Sequence, residues 1–483
     1  MAEILRLQNH THSISRQVCQ PQGEPVDFTL PAPTGIDAKR TATAPSWAKD
    51  LVIYELNPRA FTSPQGAGDG SGSGTFRSLA ERLPYLADLG VNGVWMAGHH
   101  LSTHHFYGIW TVYAADRPDR IDPVLGSEDD LKALTAAARD HGIRIFLDVI
   151  AHGVVNSSSL ITEHPEWFLG GTWGMTDYNY NDPGFREWWI SLWERYALEF
   201  GIDGFRIDVN MVDPTIWDEI RERIERGGKK VVIFPEIERY HFSQQDLQNT
   251  PRDVYRIIHV DDLAGIPRGL SVGQASCHDY GWECLAGNHF YAKGSRAKIA
   301  HGSLLTPRIP LMFAGEEFNA DPTPLPSLTQ GLFGAGEQGG WLYGNQLDWS
   351  QLDKPEKQAM LHDVKTMLGI RKHYSHLLHG DSSLVTIASI PCGGESDYVP
   401  FALHTNGEEA LVIVTNSHAR DIEMRLALPF AALGFEGRTS LVLTDVVSGE
   451  RFIATGDRVP LVVPIKADFT PGGGYRVLLV TPE

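Results

Sequence analysis

The chain has 483 residues, of which 42% are hydrophobic and 21% charged, and this composition is typical of a protein that buries a large core. It excludes a disordered or fibrous protein, and no apolar run of 18 residues is available to cross a membrane. With 41 basic and 60 acidic residues the net charge is −19, which disfavours nucleic acid and anionic membranes as partners and favours a neutral or cationic ligand.

The N-terminal segment differs in pattern from the rest of the chain. Residues 1–46 are mixed in character, end in a Pro/Thr/Ala stretch and predict an N-terminal extension. The first 18 residues lack the basic start and apolar core of a signal peptide, so a cytoplasmic protein is expected. The four cysteines show no metal-type spacing, and a disulfide framework is not expected in a chain of this size.

From residue 50 onward, short apolar runs alternate with segments of helical spacing. The predicted strands are 51–56, 91–98, 143–151, 202–209, 230–238 and 308–315, with a further apolar stretch at 268–277. The predicted helices are 76–90, 129–142, 186–201, 217–228, 295–305 and 355–377. Repeated β-then-α units with apolar strands indicate a parallel sheet, and their number favours a closed (β/α)₈ TIM barrel over residues 47–380.

Residues 381–483 follow a different pattern. The predicted short strands are 383–390, 409–416, 424–428, 439–446, 451–454, 460–465 and 475–481, with turn signals between them. No helix of any length is predicted among them. This pattern predicts a C-terminal antiparallel β-sandwich.

Chemically capable side chains follow the predicted barrel strands, at the ends where barrel enzymes place their active sites. They are Asp148 and His152, Arg206 and Asp208, Glu236, and His278 and Asp279. Glycosidic hydrolysis needs two carboxyl groups, one that attacks or stabilises the anomeric carbon and one that protonates the leaving oxygen. Glu236 lies in an apolar run and Asp279 can supply a like charge, both of which help an acid to keep its proton.

The stretch from about residue 50 to 320 resembles the α-amylase family of retaining glycoside hydrolases and transglycosidases, which also fits a C-terminal β domain. The resemblance rests on GFRIDV, FPEIE and SCHD, and on MTDYNYNDPGFREWW (175–189) and RIPLMFAGEEF (308–318). It implies that Asp208 is the nucleophile, Glu236 the acid/base and Asp279 the stabiliser of the transition state. It also implies that Arg206 partners the nucleophile and that His278 contacts sugar hydroxyls.

A second placement of the last motif is open at Asn288-His289, which resembles the family's Asn-His pair. Phe290 follows this pair and offers no charge, whereas Asp279 lies about 30 residues before Ile309, the separation typical of the family. Asp279 is therefore preferred.

The sequence departs from the family where the third strand ends. Family members have Asn-His there, the Asn binding calcium and the His contacting the sugar, but this chain has His152 and Gly153. Imidazole is a poor ligand for a cation that prefers oxygen, so no metal or other cofactor is expected, although Asp177 remains one possible calcium ligand. The excursion domain that follows is short, residues 152–185.

Two further departures concern the substrate. Ile109 replaces the family's stacking Tyr, so Tyr107 or Trp110 is a candidate platform, with packing in the core or a loop as the alternative. Val209 after the nucleophile is similar to members that cut α-1,6 links, although a β-branched residue also suits any strand. The crowded His99, His100, His104 and His105 are interpreted as a substrate rim rather than a metal site.

The sequence therefore predicts a retaining α-glycoside hydrolase acting on short α-linked glucosides or oligosaccharides. Asp148, His152 and Tyr107 are expected to line its substrate site with Arg206 and His278. The alternatives are a transglycosidase or sugar isomerase with the same three carboxylates, and a non-catalytic carbohydrate-binding relative. The oligomeric state is left open.

Overall fold

The computed structural model describes residues 45–63, 73–104, 106, 111–171, 174–208, 215–235, 257–259, 272–275, 278, 294–321, 347–378, 383–392, 398–405 and 408–483. A (β/α)₈ barrel with a small excursion after its third strand precedes an antiparallel β-sandwich, which confirms the predicted fold class. In these residues, no helix combines the length and apolar character needed to span a bilayer. The predicted domain boundaries stay predictions, and residues 1–44 lie outside the described part.

The elements that precede the sandwich are as follows. The strands are β1 (Ile53–Leu56), β2 (Gly93–Met96), β3 (His100–Ser102), β4 (Ala115–Ile121), β5 (Arg144–Ile150), β6 (Gly153–Val155), β7 (Met175–Asp177), β8 (Gly204–Asp208), β9 (Val232–Pro235), β10 (Ile257–His259), β11 (Val272–Gln274) and β12 (Ile309–Phe313). The helices are α1 (Pro58–Thr62), α2 (Phe76–Ala80), α3 (Leu83–Leu89), α4 (Glu128–Asp140), α5 (Ser159–Glu163), α6 (Pro183–Leu198), α7 (Thr215–Arg226), α8 (Arg296–Ile299), α9 (Pro355–His373) and α10 (Ser375–Leu378).

Eight parallel strands form the barrel sheet, in the order β10-β11-β12-β1-β2-β5-β8-β9. Every residue of β1, β2, β8 and β12 is buried, because side chains on one face fill the barrel and those on the other pack against helices. Burial on both faces explains why these strands are continuous apolar runs in the sequence. All carboxyl ends of the strands meet at one rim, where a single site can form.

The predicted helix 76–90 is two helices, α2 and α3, separated by a turn at residues 81–82. Pro84 causes the break, since its ring nitrogen has no proton to donate to the carbonyl of Ala80. The predicted end at Gly90 is confirmed, because Gly90 adopts the left-handed conformation with φ of 102°.

The excursion after β5 is a short hairpin. Strands β6 and β7 pair antiparallel, and Gly153 faces Asp177 in this pairing. A Cβ atom on Gly153 would lie 2.0 Å from the carbonyl oxygen of Thr176, so a side chain cannot be placed there without moving the backbone. This close approach accounts for glycine where the family has histidine.

The C-terminal domain has two antiparallel sheets. The strands are β13 (Ser383–Thr386), β14 (Ala388–Cys392), β15 (Phe401–Thr405), β16 (Glu409–Thr415), β17 (Ile422–Ala427), β18 (Leu441–Asp445), β19 (Arg451–Ala454), β20 (Pro460–Ile465) and β21 (Tyr475–Pro482). One sheet has the order β13-β15-β16-β21-β18-β19 and the other β14-β17-β20. The predicted strand 383–390 is thus two strands in different sheets, joined at the buried Ile387. Strand β15 is not among the predicted strands.

A buried carboxyl group joins the two ends of the barrel's chain. Glu317 accepts hydrogen bonds from the Tyr54 hydroxyl (3.0 Å), the Tyr85 hydroxyl (2.7 Å) and the Gly315 amide (3.0 Å). Tyr54 lies in β1 and Tyr85 in α3, whereas Glu317 follows β12. Burial raises the pKa of Glu317 to about 7, because the charged form loses its hydration.

We predict that the stability of Glu317→Gln relative to wild type rises with pH. The unfolded chain releases this proton near the ordinary pKa of 4.5 and the folded chain near a pKa of about 7. Between these values the folded state binds more protons, so the wild-type free energy of unfolding falls with rising pH, by up to about 3 kcal/mol. Glutamine does not titrate. Urea unfolding at about pH 5 and about pH 8 measures the difference.

Glu81→Gln is the matched control, since Glu81 is an exposed carboxylate in the turn before α3. Its stability difference from wild type is expected to be the same at both pH values. If the difference in free energy of unfolding between Glu317→Gln and wild type is also independent of pH, the conclusion that Glu317 binds a proton in the folded protein is contradicted.

Candidate active site

Strand geometry places three charged residues on one face at the rim. Side chains alternate along a strand, so Arg206 and Asp208 of β8 point the same way. In the pairing of β5 with β8, Asp148 stands opposite Arg206. Neighbours across parallel strands share a face, and the three side chains therefore converge inside the barrel. The structure thus brings together the three residues that the sequence analysis placed at these strand ends.

The Arg206 guanidinium bridges the two carboxylates. Its Nη1 donates to Asp148 Oδ1 (2.9 Å) and to Asp208 Oδ1 (2.7 Å), and both partners are buried. Trp95 supports the same group from β2, because its Nε1 donates to Asp148 Oδ2 (3.2 Å) and its ring lies 4.8 Å from the Arg206 guanidinium carbon. One cation between two carboxylates offsets their mutual repulsion and holds Asp208 in a defined orientation.

His278 is connected to this group through Tyr113 and is hydrogen-bonded on its other side to Glu55, and neither of these two residues was predicted from the sequence. Its Nδ1 is hydrogen-bonded to Glu55 Oε1, and its Nε2 lies 3.0 Å from the Tyr113 hydroxyl. The Tyr113 hydroxyl donates to Asp148 Oδ2 (2.9 Å), and the Tyr113 and His278 rings stack with centroids 5.2 Å apart. A continuous set of contacts therefore runs from Glu55 in β1 to Arg206 in β8.

One of the missed residues had a signal in the sequence. Glu55 is the single charged residue within the apolar run LVIYEL. A carboxylate buried at the end of a barrel strand usually has a functional role. Tyr113 had no such signal, because it follows YGIW in a segment without clear periodicity.

His152 also lies at this site. Its Nε2 is 3.9 Å from Asp208 Oδ2, and the side chain is buried. The imidazole is thus directed at Asp208, whereas the resemblance implies an Asn at this position that binds calcium through its oxygen. Among the described residues, no group of three or more His, Cys, Asp or Glu side chains is arranged to hold a metal ion. The residues at this position do not fit the family's calcium site.

Several predicted site residues lie outside the described part of the chain. They are Tyr107, Val209, Glu236 and Asp279, together with Ile109, Trp110 and the Asn288-His289 pair. Strand β9 ends at Pro235, immediately before Glu236, and His278 immediately precedes Asp279. The roles expected for these residues stay predictions.

The prediction that a cluster of histidines forms the substrate rim is wrong for His99 and His100. Both are buried, and the His99 ring packs against Trp193 and Tyr196 of α6. Burial lowers the pKa of His99 well below its ordinary value and that of His100 to about 4. They are buried residues of the barrel wall, and burial favours their neutral form.

Two neighbours of this cluster differ. The ring of His104 is partly exposed and its Nε2 lies 2.6 Å from Asp122 Oδ2, whereas His105 is outside the described residues. Trp189 and Trp193 of α6, which lie nearby, are fully buried in the core.

Comparison with known proteins agrees with this geometry. The model of the family described as "Alpha amylase, catalytic domain" matches residues 56–168. A cyclomaltodextrinase of Geobacillus thermopakistaniensis is 24% identical, over 87% of this chain and 76% of its own. Several other curated relatives align over less than half of their own length.

Solved structures show the same fold. The crystal structure of a noncanonic maltogenic α-amylase from Thermotoga neapolitana superimposes with a TM-score of 0.66 and 18% identity, over 90% of this chain and 99% of its own. An α-amylase from Geobacillus thermoleovorans, solved in complex with acarbose, gives a TM-score of 0.65 and 16% identity, with the same coverage.

We predict that Asp148→Asn destabilises the protein because it leaves the buried Arg206 with one carboxylate. The free energy of unfolding is expected to fall by about 3 kcal/mol, as for a broken buried ion pair. Denaturant unfolding measures the loss. The control Glu187→Gln breaks a largely exposed pair with Arg223 and is expected to cost less than about 1 kcal/mol. Equal losses for the two variants would contradict the assigned role of Asp148.

Proposed function

Because the chain belongs to the α-amylase family of glycoside hydrolases, we propose that it is a retaining hydrolase of short α-linked glucosides or oligosaccharides. The observation that carries this proposal is the buried Asp148–Arg206–Asp208 group at the carboxyl ends of β5 and β8. It presents one carboxylate, oriented by a cation, at the barrel rim. The neighbouring cation favours the ionised carboxylate, which is the form that attacks the anomeric carbon in a retaining glycosidase.

In the proposed reaction Asp208 attacks the anomeric carbon and forms a covalent glycosyl intermediate. Glu236 protonates the departing oxygen and then takes a proton from the water that releases the sugar. Asp279 stabilises the positive charge that develops on the ring in both transition states. The nucleophile is regenerated and the anomeric configuration is retained.

Arg206 has two effects on this chemistry. Its charge favours the ionised form of Asp208, the form that attacks, and its geometry holds the carboxylate in one orientation. Asp148 uses both oxygens on Arg206, Trp95 and Tyr113, so we assign it a positioning role rather than the sugar contact expected from sequence. The local excess of negative charge suits a neutral substrate whose transition state is cationic.

The substrate class is supported by the proteins to which the chain is similar. Cyclomaltodextrinase and maltogenic α-amylase are named for α-glucan substrates or products, and one structural relative holds acarbose. Val209, directly after the nucleophile, is the observation that favours α-1,6 links within this class. A transglycosidase is the second candidate, since it uses the same residues and differs in how the acceptor site holds sugar against water. The cytoplasmic location expected from the N-terminal residues stays a prediction.

We predict that wild-type protein releases mono- or short oligosaccharides from at least one member of a panel of α-1,1, α-1,3, α-1,4 and α-1,6 glucosides. Asp208→Asn should lower turnover at least about 1,000-fold, because amide oxygen is a poor nucleophile. Product analysis by chromatography measures both. Asp203→Asn is the matched control, since Asp203 directly precedes the other end of β8 and is expected to leave turnover within about twofold.

The outcomes separate the candidate functions. Longer or rearranged products would assign the protein to the transglycosidases. No product on any substrate would contradict the hydrolase, as would an Asp208→Asn variant that keeps wild-type turnover.

We predict that exhaustive treatment with a calcium chelator changes this activity by less than about twofold, because His152 offers a nitrogen where calcium needs oxygen. The measurement compares turnover before treatment, after it, and after calcium is added back. A large loss of turnover that added calcium reverses would show that other residues complete a calcium site.

A further inference from the structure

The contacts of His278 require a count of protons. A tyrosine hydroxyl has one proton to donate, and the polar atoms that the Tyr113 hydroxyl contacts include Asp148 Oδ2 at 2.9 Å and His278 Nε2 at 3.0 Å. An ionised carboxylate can only accept, so the Tyr113 proton is directed to Asp148. The contact with His278 is then a hydrogen bond only when Nε2 carries a proton and donates it to the Tyr113 oxygen.

The other ring nitrogen is subject to the same argument. Nδ1 of His278 is hydrogen-bonded to Glu55 Oε1, and an ionised Glu55 can only accept. Nδ1 must therefore also carry a proton. With both nitrogens protonated, the ring is an imidazolium cation.

The charges around the ring favour this form. Glu55 of β1, Asp148 of β5 and Asp208 of β8 are carboxylates, and Arg206 is the opposing cation. Without a charge on His278 these four groups sum to two negative charges in a buried space. Trp95, a further neighbour among the described residues, is uncharged and meets the ring edge-on at 5.7 Å between centroids. A cation at His278 reduces the unbalanced charge to one.

We propose that Glu55 and Tyr113 are positioning residues that keep His278 as an imidazolium cation linked through Tyr113 to Asp148. This arrangement explains why a carboxylate is buried in β1, where it would otherwise be costly. It also gives Tyr113 a defined role beside the nucleophile group. Loss of the proton on Nε2 would leave the single Tyr113 proton to serve both Asp148 Oδ2 and Nε2, and the hydrogen bond that Nε2 donates to Tyr113 would be lost.

The protonation state can be measured without any substrate. Protein labelled with ¹⁵N in its histidine rings is studied by long-range proton–nitrogen NMR, and His278→Asn identifies the resonances of His278. Both ring nitrogens of His278 are expected to stay protonated at about pH 8, where ordinary histidines are neutral. An unprotonated nitrogen at that pH would overturn the proposal, and would place the proton on Glu55 or direct Tyr113 to His278.

Tyr113→Phe tests the linkage, since it removes the hydroxyl and keeps the stacked ring. The midpoint of the His278 titration is expected to fall by about one pH unit or more, because Asp148 is then no longer connected to the ring. Tyr196→Phe is the control, because Tyr196 is a buried barrel tyrosine whose hydroxyl donates to the carbonyl of Pro118. It should leave the midpoint unchanged, and equal shifts in the two variants would contradict the proposal. Glu55→Gln should shift the midpoint in the same direction as Tyr113→Phe.

The catalytic consequence rests on the proposed hydrolase function, whereas the protonation state does not. At about pH 8, kcat/KM is expected to fall at least about tenfold in Tyr113→Phe and to stay within about twofold in Tyr196→Phe. An unchanged kcat/KM in Tyr113→Phe beside a shifted NMR midpoint would overturn the catalytic part alone. An inactive wild type with a protonated His278 would instead contradict the proposed function.

Discussion

The organisation of the barrel mouth depends on one buried guanidinium group. Arg206 is almost completely buried, and a cation in that position is tolerated only when it is paired and hydrogen-bonded. Asp148 and Asp208 supply this pairing from β5 and from β8 itself, and Trp95 and Tyr113 complete the hydrogen bonds of Asp148. Removing either carboxylate leaves Arg206 with a single partner, and removing Arg206 leaves two buried carboxylates without their cation, so chemistry and stability are coupled at this rim.

The same constraint reaches the first strand of the barrel. Tyr113 links Asp148 to His278, and His278 is hydrogen-bonded to Glu55. Polar side chains from strands that are distant in sequence thus form one cluster within an apolar shell. A second buried carboxylate, Glu317, joins β1 to the end of β12 by a separate set of tyrosine contacts. Both clusters tie the two ends of the barrel's chain together, one at the site and one beside it.

Part of the site could be predicted because its geometry is local. Arg206 and Asp208 are two residues apart on a strand, so a period of two places them on one face without knowledge of the fold. The roles of Asp208, Glu236 and Asp279 came from resemblance to a family and not from spacing. Tyr113 could not be found in this way, because its importance arises from contact with His278, which is 165 residues away. The prediction that His99 and His100 form a substrate rim was wrong for the same reason, because the burial of a side chain depends on which elements fold over it.

The sequence by itself determined most of the alternating barrel strands and helices, the change to short antiparallel strands that follows them, and the residues at the strand ends, whereas β10 and β15 were not predicted. These follow from hydrophobic periodicity and from Gly and Pro positions, which act within a few residues of chain. Only the tertiary structure decided that Glu55 faces His278, that Gly153 meets the Thr176 carbonyl, and that one predicted strand divides between two sheets. Each of these depends on the distance between segments far apart in the chain, which local propensity does not encode.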